Sequence, residues 1–215
     1  MSKNGISSVI FDCDGVMFDS RQANINYYNH LLACFGLPPM NESQEAYVHM
    51  HTADKSVRHI FEGTPHTEAA QAYRMDMDYT PFIQDMVMES GLKELLGTLK
   101  SRMALAVATN RSNTLPIVLE VYELAEYFDM VVSSLDVTRP KPHPESIHKI
   151  LDFFEIQPTQ AIYVGDSLVD LETARASGVH FVAYRNPELN AHLRADSMAE
   201  LERVVAAFEG ERAAP

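Results

Sequence analysis

Two aspartates separated by one residue follow the first apolar run of the chain. In the segment VIFDCDGVMFDS, Asp12 and Asp14 come directly after Phe11. Side chains alternate along an extended strand, so residues i and i+2 point the same way. Asp12 and Asp14 are therefore expected to face one ligand, while Gly15 lets the backbone turn sharply beside them.

Three later segments add a hydroxyl, an amide, a lysine and two further carboxylates. The segment ALAVATN ends in Thr109 and Asn110, the loop RPKPHPE contains Lys141, and IYVGDSLVD contains Asp166 and Asp170. In open α/β sheets, ligands bind beyond the carboxyl ends of the strands. These side chains are therefore expected to meet at one edge of a sheet.

This set of side chains fits metal-assisted phosphoryl transfer. Mg²⁺ prefers a few carboxylates together with water and phosphate oxygens. A carboxylate can also attack phosphorus and divide one difficult reaction into two steps. Thr109 and Lys141 can stabilise charge on the transferring oxygens. Each motif alone has a structural alternative, because Asp–Gly is common in turns and Thr109 could begin a helix.

The elements that must position these residues alternate between strand and helix. Apolar runs without polar alternation predict buried strands at 6–11, 104–108, 130–133, 162–164 and 181–183. Amphipathic patterns predict helices at 92–99, 115–124, 145–154 and 168–176. This alternation predicts an α/β fold with a doubly wound, Rossmann-like parallel sheet.

A helical insertion interrupts the alternation between residues 19 and 90, where no strand is expected. Gly36 should end its first helix, Asn41 and Gln44 have capping-box spacing, and Thr52 is the expected N-cap of another helix. Residues 19–89 are predicted to form an all-helical cap domain over the sheet. Residues 1–18 and 90–215 would form the α/β core domain.

Charge and composition argue against several partners. The formal net charge of −13 repels phosphate backbones, so no nucleic acid is expected to bind. The chain has no apolar run of about 18 residues, so no membrane partner is expected. The absence of a signal-peptide pattern and the presence of only two cysteines predict a cytoplasmic location. Oligomeric state is not predicted.

The four motifs, FDCDGVMFDS, VATN, RPKPHPE and VGDSLVDLETARASG, resemble in order those of the haloacid dehalogenase-like hydrolase superfamily. The similarity is to its helical-capped phosphatase branch, which includes phosphoglycolate phosphatases and beta-phosphoglucomutases. It implies hydrolysis of a small phosphorylated metabolite through an aspartyl phosphate. Asp12 would be the nucleophile, Asp14 the general acid and base, and Thr109, Asn110 and Lys141 would bind phosphate.

The resemblance also implies a Mg²⁺ site. Its ligands would be Asp12, the backbone carbonyl of Asp14, and Asp166, with Asp170 as a direct ligand or in the outer shell. Three cap residues, His51, Lys55 and Arg58, lie where capped relatives place residues that contact the substrate.

Other functions stay open. A sugar phosphomutase, an isomerase of the same family, shares all four motifs but tends to carry a histidine where this chain has Asn24. Dehalogenases and phosphonate-cleaving relatives lack the second aspartate of the first motif, so Asp14 argues against both, although Lys55 is a conceivable Schiff-base lysine. A non-catalytic binding protein would not need every catalytic position filled.

Overall fold

Six parallel strands form the central sheet in the computed structural model, which describes residues 5–210. Residues 1–4 and 211–215, part of the predicted core domain, lie outside the described residues. The strands follow the order β5-β4-β1-β6-β7-β8. They are β1 (Ser8–Phe11), β4 (Ala104–Ala108), β5 (Met130–Val132), β6 (Ala161–Gly165), β7 (His180–Tyr184) and β8 (Leu193–Ala195).

Helices cover both faces of this sheet because its strands are apolar on both sides. Val9 and Phe11 of β1 pack in one core cluster, and the intervening Ile10 packs in another, as strand alternation requires. The first face carries α6 (Leu92–Lys100) and α10 (Met198–Gly210), and the second carries α8 (Glu145–Phe154) and α9 (Leu168–Ser177). A shorter helix, α7, spans Leu115–Val121. The predicted doubly wound α/β fold is confirmed.

The insertion is mainly helical, as predicted. Its helices are α1 (Arg21–Cys34), α2 (Glu42–Met50), α3 (Ala53–Ile60), α4 (Thr67–Asp76) and the single turn α5 (Thr80–Ile83). Asn41 and Gln44 form the expected capping box, and the Thr52 side chain accepts a hydrogen bond from the backbone N–H of Lys55. None of the helices in residues 5–210 has the length and apolar character needed to span a membrane.

One expectation about the insertion is wrong, because it contains part of a small sheet. Strands β2 (Phe18–Asp19) and β3 (Val87–Met88) pair antiparallel at the two ends of the insertion. Each strand has only two residues, which is too short for a periodic pattern, and their partners are distant in sequence. Strand β8 and helix α10 were also not predicted. The division into domains at residues 19 and 89 stays a prediction.

Candidate active site

The site lies where the carboxyl ends of the three central strands meet. Strand β1 pairs with β4 on one side and β6 on the other, with Phe11 opposite Val107 and Val164. The next residues continue this pairing, since the backbone N–H of Asp12 donates to the Val164 carbonyl at 2.9 Å. The residues that follow the three strands are therefore neighbours, although they belong to separate motifs.

Lys141 ties two of the predicted carboxylates together. Its Nζ lies 2.9 Å from Asp12 Oδ1 and 2.7 Å from Asp170 Oδ1. The Tyr163 hydroxyl bridges Lys141 and Asp170. It accepts a hydrogen bond from Lys141 Nζ at 2.8 Å and donates one to Asp170 Oδ1 at 2.6 Å. Tyr163 was not singled out from the sequence, because it resembles any apolar residue of a buried strand.

Burial and charge set the ionisation of this group. Burial raises the pKa of Asp12 to about 7, although Lys141 acts in the opposite direction. The pKa of Asp170 is lowered despite its burial, because Lys141, Ser167 and Tyr163 stabilise its carboxylate. Burial also opposes the charge of Lys141, but the two adjacent carboxylates raise its pKa above the ordinary value.

Three carboxylates form a cluster that could hold a cation. Oxygens of Asp12, Asp166 and Asp170 lie within 4.8 Å of one another. Burial, followed by the charges of Asp170 and Asp12, raises the pKa of Asp166 to about 8. Such an all-oxygen set with mutual repulsion fits a hard divalent cation, whose charge would relieve the repulsion.

Two glycines make room for this cluster. A Cβ atom on Gly15, which has a φ of +79°, would lie 2.0 Å from Asp166 Oδ2. A Cβ atom on Gly165 would lie 2.3 Å from the Cβ of Asp170. Both distances are far below van der Waals contact, so the carboxylates occupy space that only glycine leaves free.

Asp14 is held by an arginine that the sequence analysis missed. Arg111 Nη2 lies 2.5 Å from Asp14 Oδ1, and Arg111 Nε donates to Asp14 Oδ2 at 3.2 Å. The Ser20 hydroxyl also donates to Asp14 Oδ1. Burial alone would raise the pKa of Asp14, but Arg111 and then Ser20 lower it below the ordinary value. The sequence feature that could have pointed to Arg111 is its position directly after the motif VATN.

The predicted phosphate-binding residues are brought together on the same edge. Thr109 is buried, and its Oγ1 accepts a hydrogen bond from the backbone N–H of Arg111 at 3.1 Å. Asn110 Nδ2 donates to the backbone carbonyl of Lys141 at 3.2 Å, which links the second and third motifs. All three side chains, with Asp12, Asp14 and Asp166, line one cavity between core and cap.

The cap contributes residues that were only partly predicted. His51 lines the cavity, with its ring stacked on that of Tyr47. Lys55 and Arg58 are not among the cavity-lining residues of the described chain, and Arg58 instead pairs with exposed Asp54 and Glu68. The cavity also contacts cap residues without a predicted role, namely Asn24, Tyr27, Tyr28, Val48, His49, Met50, Ala53 and Tyr79.

Comparison with known proteins agrees with this geometry. The family model for haloacid dehalogenase-like hydrolases matches residues 9–184. A phosphoglycolate phosphatase from Nitrosospira multiformis is 31% identical, with 81% of each chain covered. The crystal structure of a subfamily IA hydrolase of the haloacid dehalogenase superfamily from Geobacter sulfurreducens is 40% identical. It covers 93% of this chain and 99% of its own, with a TM-score of 0.82.

A mutase shares the fold as well. The structure of a beta-phosphoglucomutase from Clostridium difficile superposes with a TM-score of 0.80, covering 96% of this chain and 98% of its own, at 19% identity. The fold and the four motifs define a capped α/β hydrolase. The chain belongs to the haloacid dehalogenase-like hydrolase family. Within it, the chain is a phosphoric monoester hydrolase, and its relatives include proteins named as phosphatases.

Proposed function

We propose that the protein is a Mg²⁺-dependent phosphatase that hydrolyses a small phosphorylated metabolite through an aspartyl phosphate on Asp12. The main support is the position of Asp12 at the end of the central strand, beside Lys141. Asp12 Oδ1 accepts from the Cys13 backbone N–H at 2.7 Å and contacts Lys141 Nζ at 2.9 Å. Because both contacts involve Oδ1, we assign the attack on phosphorus to Oδ2.

The residues that would hold the cation are Asp12 and Asp166, together with the backbone carbonyl of Asp14. Both oxygens of Asp170 already accept hydrogen bonds, Oδ1 from Lys141 and Oδ2 from Ser167. This favours a role for Asp170 outside the set of direct metal ligands, in which its carboxylate orients Lys141. When bound, Mg²⁺ supplies positive charge that offsets the repulsion between the carboxylates and the incoming phosphate.

Lys141, Thr109 and Asn110 would bind the phosphate oxygens and stabilise the charge that develops on them. Asp14 would give a proton to the departing oxygen and later take one from the attacking water. Asp12 and Asp14 both line the cavity in which the phosphate ester would bind. Product release would then leave Asp12 as a free carboxylate.

A small leaving group is supported by the size of the cavity. Its volume is about 90 Å³, compared with roughly 300–1,000 Å³ for pockets that take drug-sized ligands. The phosphoglycolate phosphatases among its relatives are named for a two-carbon substrate. Asn24 of the cap lines the cavity, and its amide, unlike a histidine, cannot exchange a proton, so a phosphatase fits better than a mutase. A cytoplasmic location stays a prediction.

The test is a screen of small phosphorylated metabolites with purified protein and Mg²⁺, which measures both free phosphate and isomerised product. We expect release of phosphate, abolished in Asp12→Asn and retained in Asp19→Asn, where an exposed carboxylate of the same motif is removed. An isomerised product without free phosphate would support the mutase. Full activity of Asp12→Asn would contradict the proposed nucleophile.

A further inference from the structure

The Arg111 guanidinium is buried at the junction of core and cap, facing the cavity. Its side chain is only 5% exposed. Nη1 donates to Thr114 Oγ1 at 3.1 Å, and the guanidinium lies 5.2 Å from the ring centroid of Tyr79 in the cap. These contacts hold the arginine in a fixed orientation. The proposed nucleophile, the acid–base group and the phosphate-binding groups do not include this cation.

The partner of Arg111 in this structure is the carboxylate of Asp14. The contact is a fork, with Nε on one carboxylate oxygen and Nη2 on the other. A fork of this kind matches any carboxylate and is stronger than a contact between neutral groups. Ser20 also donates to Asp14 Oδ1, so this oxygen accepts two hydrogen bonds and Oδ2 accepts one. These three contacts hold the Asp14 carboxylate against Arg111 and Ser20.

A second polar group, on the cap, lines the same cavity. His49 lines the cavity, and its Nδ1 is buried without a hydrogen-bond partner among the described residues. A buried polar atom without a partner is costly and uncommon in native structures. An acidic group bound in this cavity would bring an acceptor to the side of the cavity that His49 lines.

We infer that Arg111 binds a carboxylate on the leaving group of the substrate, and that this carboxylate takes the place of Asp14 on the guanidinium. The inference rests on the proposed phosphatase function and defines its substrate class as small phosphate esters of hydroxy acids. A substrate that carries the second acid thereby releases Asp14 to face the departing oxygen. A substrate without it leaves Asp14 paired with Arg111.

The kinetic test compares two substrates of similar size, 2-phosphoglycolate and 2-hydroxyethyl phosphate, with Mg²⁺ present. For Arg111→Gln we expect kcat/KM for phosphoglycolate to fall ~30- to 100-fold, the range for a lost charge-assisted pair. Turnover of 2-hydroxyethyl phosphate should fall less than that of phosphoglycolate, because this substrate has no carboxylate for Arg111 to bind. Arg111→Lys, which keeps the charge but loses the fork, should show an intermediate loss. Arg175→Gln, at an exposed arginine of α9, is the matched control.

A binding measurement tests the role of Arg111 without requiring any catalytic step. The unreactive phosphonates 3-phosphonopropionate and propylphosphonate differ only in the carboxylate, and calorimetry measures their binding with Mg²⁺. The wild type should prefer 3-phosphonopropionate, and Arg111→Gln should lose that preference. Equal binding of the two by the wild type would overturn the inference, as would an equal loss on all substrates in Arg111→Gln and Arg111→Lys. A wild type that binds 3-phosphonopropionate selectively but hydrolyses no phosphate ester would refute only the proposed phosphatase.

Discussion

Asp12 and Asp14 are two residues apart, yet their surroundings give them different chemistry. Asp12 contacts Lys141, and its pKa is raised to about 7 mainly by burial. Asp14 is buried too, but Arg111 and Ser20 lower its pKa. Cation binding would favour the ionised form of Asp12, which attack on phosphorus requires. The two carboxylates therefore differ in their contacts and in their ionisation.

Replacing Asp14 with asparagine should trap the intermediate on Asp12. The amide keeps the size of the side chain but cannot exchange a proton, so turnover of an alkyl phosphate should fall ~10²–10⁴-fold. p-Nitrophenyl phosphate should lose less, because its leaving group departs without a proton. Mass spectrometry after incubation with a good phosphoryl donor should find a phosphate adduct on Asp12. An adduct on another residue would contradict the mechanism.

The Tyr163 hydroxyl should position Lys141 and Asp170 without taking part in chemistry. Tyr163→Phe leaves the pair between Lys141 and Asp170 in place but removes one buried hydrogen bond to each. We expect a loss of about 1–3 kcal/mol in the free energy of unfolding, seen as a fall in Tm. kcat should fall by about tenfold or less on every substrate. A loss as large as that of Asp12→Asn would place Tyr163 in the chemical steps instead.

At the scale of elements, the turn after β1 brings Gly15 against the carboxylate that follows β6. Gly15→Ala places a Cβ where Asp166 Oδ2 lies, 2.0 Å away, and also strains a φ of +79°. Gly63→Ala is the matched control, because its φ is +77° and nothing lies within 4 Å of the added Cβ. Gly15→Ala should weaken Mg²⁺ binding and phosphatase activity at least tenfold, because it displaces the Asp166 carboxylate. A tenfold loss corresponds to a free-energy cost of ~1.4 kcal/mol. Gly63→Ala should lose stability only, so similar behaviour of the two variants would contradict a role for Gly15 in the site.

The junction of cap and core is held by a second group of contacts beside β3. Glu89, directly after this strand, accepts from Arg185 at 2.6 Å and from the buried Tyr184 hydroxyl at 3.1 Å. The Glu89 side chain thus links the end of β3 to the end of β7. These contacts hold the end of the insertion on the central sheet.

For the whole molecule, stability without metal should fall as pH rises from 6 to 8.5. The pKa of Asp12 is raised to about 7 and that of Asp166 to about 8, from an ordinary 3.8. The folded protein therefore holds protons that the unfolded chain has lost, and this stabilisation disappears as pH passes through the raised values. The pKa values of Asp14 and Asp170 are lowered, so their contribution changes only in acid, below this window.

Mg²⁺ should compete with those protons, so its stabilising effect should grow with pH. We expect thermal unfolding in EDTA to show a Tm that decreases from pH 6 to 8.5, and a smaller decrease with Mg²⁺. Asp166→Asn removes one of the raised groups and should flatten the profile in EDTA. A Tm that is independent of Mg²⁺ at pH 8.5 would contradict the metal site.

Local sequence determined five of the six strands of the central sheet, most of the helices and the order of the four motifs. Apolar runs such as the one ending at Phe11 predict buried strands, and Asn41, Gln44 and Thr52 mark helix starts, because near neighbours settle these features. The carboxyl-end rule for parallel sheets then places the motif residues on one edge.

Only the tertiary structure determined which groups contact one another within that edge. Arg111 and Asp14 are 97 residues apart in the chain, and Tyr163 and Lys141 are 22 apart. Strands β2 and β3 have two residues each, and they pair only because the two ends of the insertion lie side by side. Such contacts depend on packing between distant elements, and no local pattern of residue types encodes them.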